Sequence, residues 1–356
     1  MDHIIFHNDI DGIVSAGVFM NYNKCSEKFN YFTSCLHPVN STMRGDTIKR
    51  ILNKLPENER IAILDFEFNK RADVWIDHHY SADFGPCCVK TDKVMYNPAA
   101  KSAARIVEEY FQRTDNHSDL LDMVDMIDSG TYPDCKFIFE SDHPLMILRA
   151  YLETAFPSDV VYSRIVDILA INGCDIEHLI KKMGIDYQCV SNIKNIARKI
   201  SKDLVKFGAC SCVHQTRQNQ FPRYSEFFVV PENEYAIRIS LSGPHHKYVQ
   251  IGSNQWREKS NKINIGEFLR NLSYCRGGGH FSVGAGVIKN EDEDKLLDDI
   301  DIYFNKDEGM EKYAVDSEDK VEKRAQELVK TGVDLVEARK KSQKEQEAPV
   351  DADNKT

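Results

Sequence analysis

The 356 residues contain no CxxC pair, no excess of basic charge and no long apolar run, and each absence narrows the field. Ten cysteines are scattered along the chain, adjacent only at Cys87-Cys88 and nearly so at Cys210-Ser211-Cys212. They read as reduced thiols, not as a disulfide frame. The formal net charge of −10 argues against a broad nonspecific surface for long nucleic acid, because such binding rests on a basic track that neutralises phosphates. A small phosphate-bearing substrate held by cations remains compatible with that charge. No stretch of about eighteen apolar residues is present, so no membrane span is expected. The opening "MDHIIFHNDIDG" has no basic segment ahead of its apolar residues. It reads as neither secretory signal nor transit peptide, and a cytoplasmic protein is expected.

What is there divides into about two domains on length alone. Residues 3 to 6 are a short apolar run ending at "HNDIDG", and "GIVSAGVFMNY" then begins a helix. "KFNYFTS" is a second strand candidate. "STMRGDTIKRILNKL" has helical spacing, "RIAIL" runs into Asp65, and "VWI" runs into Asp77. "SAARIVEEYF" and "LLDMVDMI" are further helices. This alternation over residues 1–150 implies a mainly parallel α/β sheet. Residues 151–208 read as a helical connector, with Val190, Ile193, Ile196, Ile200, Leu204 and Phe207 spaced three or four apart and Gly208 as the C-cap. Over 209–290, "ACSCV", "EFFVV", "YAIRISL", "YVQI" and "FSVGAGVI" look like strands and "IGEFLRNL" like a helix, a smaller α+β domain. Residues 291–356 read as an acidic, charged tail, helical and then disordered.

The chemistry gathers in the first domain. His7, Asp9 and Asp11 share one loop, Asp65 stands at the next, Asp77-His78-His79 at the third, and Asp128 lies in "MIDSGTY". In doubly wound sheets, functional residues sit past the carboxyl ends of the strands. One carboxylate there is usually a helix cap, but acids and imidazoles from several loops together are a poor fit to capping. Such a donor set, without thiolates, suits Mn²⁺ or a similar divalent ion. A pair of ions about 3.5–4 Å apart activates water and stabilises a phosphoryl transition state. Asp125, one turn before Asp128, is the alternative fourth ligand, and Asp122 reads as a solvated helix face.

"HNDIDG", "LDF", "DHH" and "DSG", in that order and spacing, resemble motifs I to IV of the DHH phosphoesterase family over about residues 3–135. The resemblance implies that Asp9 and Asp11 ligate different ions, that Asp65 bridges them, and that His78 and Asp128 complete one site. His7 falls where some members carry a ligating histidine. Asp77 would orient a ligand imidazole, and His79 would contact or protonate the substrate, so Asp77, His78 and His79 are the expected catalytic group. "NPAAKSAARIVEEYF" also fits the family, which makes Ser102 at its helix start a candidate phosphate contact.

"RGGGHFSVGAGV" resembles the GGGH signature of the DHHA1 domain, and the likeness covers about residues 209–288. It implies substrate contacts from Gly277, Gly278, Gly279 and His280. Three glycines in a row also let backbone amides approach a phosphate without side-chain clash. A strand motif resembling "SLRS" is altered here to "SLSG", with Ser242 at the arginine position. Arg238, four residues earlier, is the candidate replacement. Asn254 in "GSNQW" is a further candidate contact, and Trp256 beside it a stacking platform or a core residue.

The expected function is a metal-dependent phosphodiesterase using two Mn²⁺ ions, with Mg²⁺ or Co²⁺ as alternatives. It would cut short single-stranded oligonucleotides or dinucleotides to nucleoside monophosphates. Open alternatives are a phosphatase on bisphosphorylated nucleotides, a hydrolase of cyclic-dinucleotide-derived products or polyphosphate, and a non-catalytic nucleotide-binding protein. A homodimer and a further partner on the charged tail are allowed, and a membrane is not.

Overall fold

The computed structural model describes residues 1–24, 35–39, 46–79, 87–113, 117–155, 157–216, 221–257, 263–279 and 281–305. The strand expected at "KFNYFTS", His280 and the tail from 306 onward lie outside the described residues. The chain forms two compact units, one from 1–203 with 220–231, the other from 204–219 with 232 onward.

The first unit is built on a six-stranded sheet of β1 (His3–His7), β2 (Cys35–Val39), β3 (Ile61–Leu64), β4 (Val74–Asp77), β5 (Val89–Lys90) and β6 (Val94–Tyr96), in the order β2-β1-β3-β4-β6-β5. All neighbours pair in parallel except the edge pair β5–β6. Parallel strands are covered on both faces, and the residues alternate accordingly. Ile4, Phe6, Ala62, Leu64, Val74 and Ile76 enter one core. Ile5, Ile61, Ile63 and Trp75 enter a second core on the other face, with Ile48 and Leu52 of α2 (Asp46–Leu52). The larger core is closed by helices, among them α1 (Ile10–Lys24), α3 (Ala103–Tyr110) and α4 (Ser118–Ser129). The chain leaves β1 for β2 on one side and returns to β3 on the other. The carboxyl ends of β1 and β3 are therefore a topological switch point, and Asp9, Asp11 and Asp65 follow those two strands.

The helices expected to connect two domains belong to this first unit. After α5 (Cys135–Glu140) come α6 (Pro144–Ala155), α7 (Asp159–Ile171), α8 (Ile176–Met183) and α9 (Gln188–Lys199). Leu145, Leu148, Ile165, Leu169 and Leu179 are buried in the same core as α1. The long helix expected through Phe207 stops earlier. It tightens into a single 3₁₀ turn at Ile200–Lys202, and Val205–Phe207 is a strand, β7. Phe207 pairs with Cys210 of β8 (Cys210–Gln215) across a two-residue hairpin turn. Gly208, expected as a helix cap, is the first residue of that turn, with φ +55°, where a two-residue hairpin calls for glycine. A three-to-four spacing of apolar residues is also met by a helix followed by a hairpin, which is why periodicity overran the boundary. "EFFVV", expected as a strand, is helical instead: α10 (Ser225–Val229) returns to the first unit and buries Ser225, Glu226 and Phe227.

The second unit has the sheet β11-β12-β10-β9-β8-β7, mostly antiparallel, with β9 (Tyr235–Leu241), β10 (His246–Ser253), β11 (Arg276–Gly279) and β12 (Val283–Lys289). Among the described residues only β8 and β9 of its strands pair in parallel. The sheet buries Val213, Ile237, Ile239, Val249 and Ile251. Over it lie α11 (Ile265–Asn271) and α12 (Glu293–Asn305). Leu296, Ile300 and Phe304 of α12 are buried in this core. The acidic stretch placed in the tail is thus one face of a core helix, whose apolar residues recur every fourth position. The triple glycine is an edge strand, not a loop. A Cβ on Gly277 would stand 2.8 Å from the Ala285 carbonyl oxygen, and one on Gly266 of α11 only 2.2 Å from that of Gly279. Packing this close admits glycine and little else.

Candidate metal centre

Between β1 and α1 the chain turns so tightly that a Cβ on Gly12 would lie 2.1 Å from the His7 carbonyl oxygen. The glycine lets α1 start against the strand end, and its N–H donates to Asp9 Oδ1 at 3.0 Å. Asp9 Oδ2 is then left 2.7 Å from His7 Nδ1. Two residues on, Asp11 is buried, and its carboxylate accepts from the backbone N–H of Ala103 at 2.6 Å and of Ala104 at 2.8 Å. It sits on the N-terminus of α3, where the helix dipole favours an anion.

Asp65 leaves β3 in the left-handed region, at φ +57°, a conformation costing roughly 1–3 kcal/mol that is typical of functional positions. It is buried, and among the described residues neither carboxylate oxygen has a hydrogen-bond partner. Oδ2 lies 3.5 Å from His7 Nδ1, while Oδ1 lies 3.7 Å from His78 Nε2 and 3.5 Å from His79 Nδ1. One carboxylate therefore faces two sets of ligands.

After β4, Asp77 organises the turn. Its Oδ1 accepts from the backbone N–H of His78 and His79 at 2.8 and 3.1 Å and contacts His79 Nδ1 at 2.9 Å. The ring it holds is that of His79, whereas His78 is held elsewhere. His78 Nδ1 lies 3.1 Å from the carbonyl oxygen of Ala100. A carbonyl only accepts, so Nδ1 is the donor of that bond and the ring's Nε2 is the nitrogen turned to the acids. That Nε2 faces Asp128 Oδ2 at 3.2 Å and Asp11 Oδ2 at 3.5 Å.

Two ligand groups result, His7–Asp9–Asp65 and Asp11–His78–Asp128, with the donor atoms of each group within 4.8 Å of one another. His79 with Asp65 and His78 makes a third overlapping group. The electrostatics match a site built for cations. Burial, with Asp9 adding to it, raises the Asp11 carboxyl to about 7. Burial and Asp11 raise Asp128 to about 7. Asp65 is pushed well up by burial and by Asp11, Asp9, Asp77 and Asp128. For Asp9, burial is outweighed by the His7 hydrogen bond and charge, and the carboxyl falls to about 2. For His79, burial is outweighed by Asp77, and the imidazole rises to about 9. Both oxygens of Asp65 and His78 Nε2 are buried without a hydrogen-bond partner among the described residues. Orphaned buried groups are rare in native structures, and three such atoms beside the His7–Asp9 pair fit a pair of divalent ions.

Several expected contacts are used otherwise. Ser102 is a fully buried helix cap whose hydroxyl accepts from Arg105 N–H at 3.3 Å and donates to Asp125 Oδ1. Asp125 is held by Ser102 and by Arg105, at 2.9 and 3.1 Å, so Asp128 alone of the two joins the centre. Asp122 reaches Arg105 at 2.6 Å on the exposed side. Asn254 is 1% exposed; its amide donates to the Asn233 carbonyl oxygen at 2.7 Å and accepts from Trp256 N–H at 3.2 Å. It clamps a loop instead of facing outward. Arg238 lies in β9 opposite Gln250 of β10, and Gly277–Gly279 lie in β11.

The structure adds what the sequence left unmarked. A cavity of about 410 Å³ within the first unit is lined by Asp9, Asp11 and Asp128, and also by Tyr132, Arg149, Tyr162 and Tyr224. Arg149 is 6% exposed. The available signal was "ILRAYLETA", where a charged pair four apart interrupts an apolar helix.

No protein-family model and no curated protein matches this sequence. Solved structures do share its fold. A pGpG-specific phosphodiesterase, PggH from Vibrio cholerae, has a TM-score of 0.61 and 18% identity, covering 86% of this chain and 99% of its own. RecJ from Thermus thermophilus, in complex with Mn²⁺, has a TM-score of 0.50 and 10% identity, covering 85% of this chain and 51% of its own. The structural neighbours are DHH-domain proteins, and the chain has their fold. Among the described residues no helix is long and apolar enough to cross a membrane.

Proposed function

We propose that this chain is a divalent-metal-dependent phosphodiesterase of the DHH type that hydrolyses short single-stranded oligonucleotides or dinucleotides to nucleoside monophosphates. The observation that carries it is the carboxylate of Asp65, strained, buried and unpartnered, standing between His7–Asp9 on one side and Asp11–His78–Asp128 on the other. Mn²⁺ bound there would supply an activated water and positive charge for the phosphoryl transition state. The remaining work belongs to the chain. The α3 N-terminus holds Asp11, the Ala100 carbonyl orients His78, and Asp77 holds the ring of His79. With a side chain 56% exposed, His79 can meet a substrate phosphate or protonate a departing oxygen. The phosphodiesterase PggH and the Mn²⁺-bound RecJ among the structural neighbours support this reaction class.

In this reading the second unit is a DHHA1 domain, and Gly277, Gly278, Gly279, His280 and Arg238 are its substrate contacts. A net charge of −10 favours a short substrate over a long strand. The test is incubation of the purified chain and Mn²⁺ with labelled RNA and DNA two to twelve nucleotides long, with bisphosphorylated adenosine and cyclic dinucleotides alongside. Metal-dependent release of mononucleotides from the shortest chains, lost in Asp65→Ala, is expected. Equal activity in Asp65→Ala, or turnover of the bisphosphate alone, would overturn the proposal.

A further inference from the structure

We propose that the cavity beside the metal centre is a nucleobase pocket with a preference for guanine, read by Arg149 and Glu153. The inference rests on the phosphodiesterase reading for what lies at the pocket's acidic end. There, Asp9, Asp11 and Asp128 line the wall, and cations would bring a phosphate to them. Away from that end the lining turns aromatic and aliphatic, with Tyr132, Tyr224, Leu152 and Ile196. Tyr224 meets Tyr132 edge to face, with centroids 5.9 Å apart. A cavity of about 410 Å³ falls in the range of about 300–1,000 Å³ for small-molecule sites, and its walls suit a flat ring.

The polar groups of the wall select among rings. Arg149 has a side chain 7% exposed, and its Nη2 is 2.5 Å from Glu153 Oε1. Its Cζ lies 5.9 Å from the centroid of the Tyr132 ring. Nη1 is buried and has no hydrogen-bond acceptor among the described residues, which is costly for a charged group unless an occupant provides one. Glu153 balances the Arg149 guanidinium, so Nη1 calls for a neutral acceptor, while Arg223 adds a second guanidinium to the lining that can meet a phosphate. Glu153 lines the same cavity with a side chain 32% exposed, and a carboxylate only accepts. A donor beside an acceptor matches guanine, whose O6 accepts while N1–H and N2–H donate next to it. Uracil shares the acceptor and first donor but lacks the second donor of guanine, cytosine presents the donor and acceptor in the opposite order, and both fill the ring space less.

The experiment is kcat/KM of the full chain with Mn²⁺ on GpG, ApA, CpC and UpU, with bis(4-nitrophenyl) phosphate as a diester lacking a base, and equilibrium binding of GMP against AMP. GpG is expected to be best. Arg149→Met and Glu153→Gln are each expected to reduce the GpG-to-CpC ratio about tenfold to a hundredfold, the worth of one bidentate base contact, chiefly through KM. A loss of the same size on all four dinucleotides and on bis(4-nitrophenyl) phosphate would assign the pair a structural role and overturn the pocket. Unchanged ratios in both variants would do so too. If Arg149→Met fails to fold, Glu153→Gln decides alone. Hydrolysis without base preference sinks the pocket and spares the hydrolase, whereas GMP-selective binding without hydrolysis does the reverse.

Discussion

Replacing Asp65 by asparagine should have opposite effects on the metal-free and metal-loaded protein. Asparagine has nearly the same shape and also tolerates the left-handed backbone found here, φ +57°. Without metal, Asp65 is a buried carboxyl with two orphaned oxygens among Asp9, Asp11, Asp77 and Asp128. An amide carries no charge and can donate to one of those neighbours. Relief of an unsatisfied buried group is worth about 1–3 kcal/mol. For domains of this size, 1 kcal/mol moves Tm by about 2–4 °C, so at pH 8 in chelator the variant should melt about 2–12 °C higher. With free Mn²⁺ at about a hundredfold over Kd, each bound ion stabilises the wild type by about 2.7 kcal/mol, or about 5–10 °C. The variant, lacking the bridge, should gain little. Scanning calorimetry with and without Mn²⁺ reads both signs. A variant that melts lower in chelator and keeps the full Mn²⁺ shift would refute the assignment of Asp65 as bridge.

The metal-free protein should also lose stability with rising pH. Asp11 and Asp128 titrate at about 7 when folded against about 3.8 ordinarily, and His79 at about 9 against 6.5. The folded state therefore binds more protons across that range, stability falls from about pH 4 to about pH 9, and melts in chelator should show a decline that saturating Mn²⁺ flattens. Asp128→Ala should remove an ion from a Mn²⁺ titration. Asp125→Ala should leave the stoichiometry intact while losing the Arg105 pairing, at a cost of about 1–3 kcal/mol; the opposite pattern would exchange their roles. Leu296→Ala should destabilise the second unit by about 2–5 kcal/mol with no change in metal binding, since α12 is core; a neutral result would return it to the tail.

The candidate cluster was legible because its donors are polar residues placed where apolar strands end, an arrangement the sequence displays directly. His7, Asp9, Asp11, Asp65, His78 and Asp128 come together as the loop pattern suggested. The motif placed Asp128 ahead of Asp125 as ligand, and the structure gives Asp125 a different partner, an arginine twenty residues away. The misread segments have a common cause. "EFFVV", the stretch through Phe207 and the acidic helix all offer apolar spacing that more than one element satisfies, and tertiary packing decided among them. Arg149 was hidden for a different reason. A charged residue in a helix is ordinarily solvent-facing, and only the packing around α6 reveals that this one is buried.

Crystals grown with Mn²⁺ and measured at its absorption edge test the central claim most directly. Two anomalous peaks are expected about 3.5–4 Å apart, one among His7, Asp9 and Asp65 and the other among Asp11, His78 and Asp128, with Asp65 touching both. A well-ordered protein with no peak at these side chains, or with a single ion that Asp65 does not touch, would contradict it.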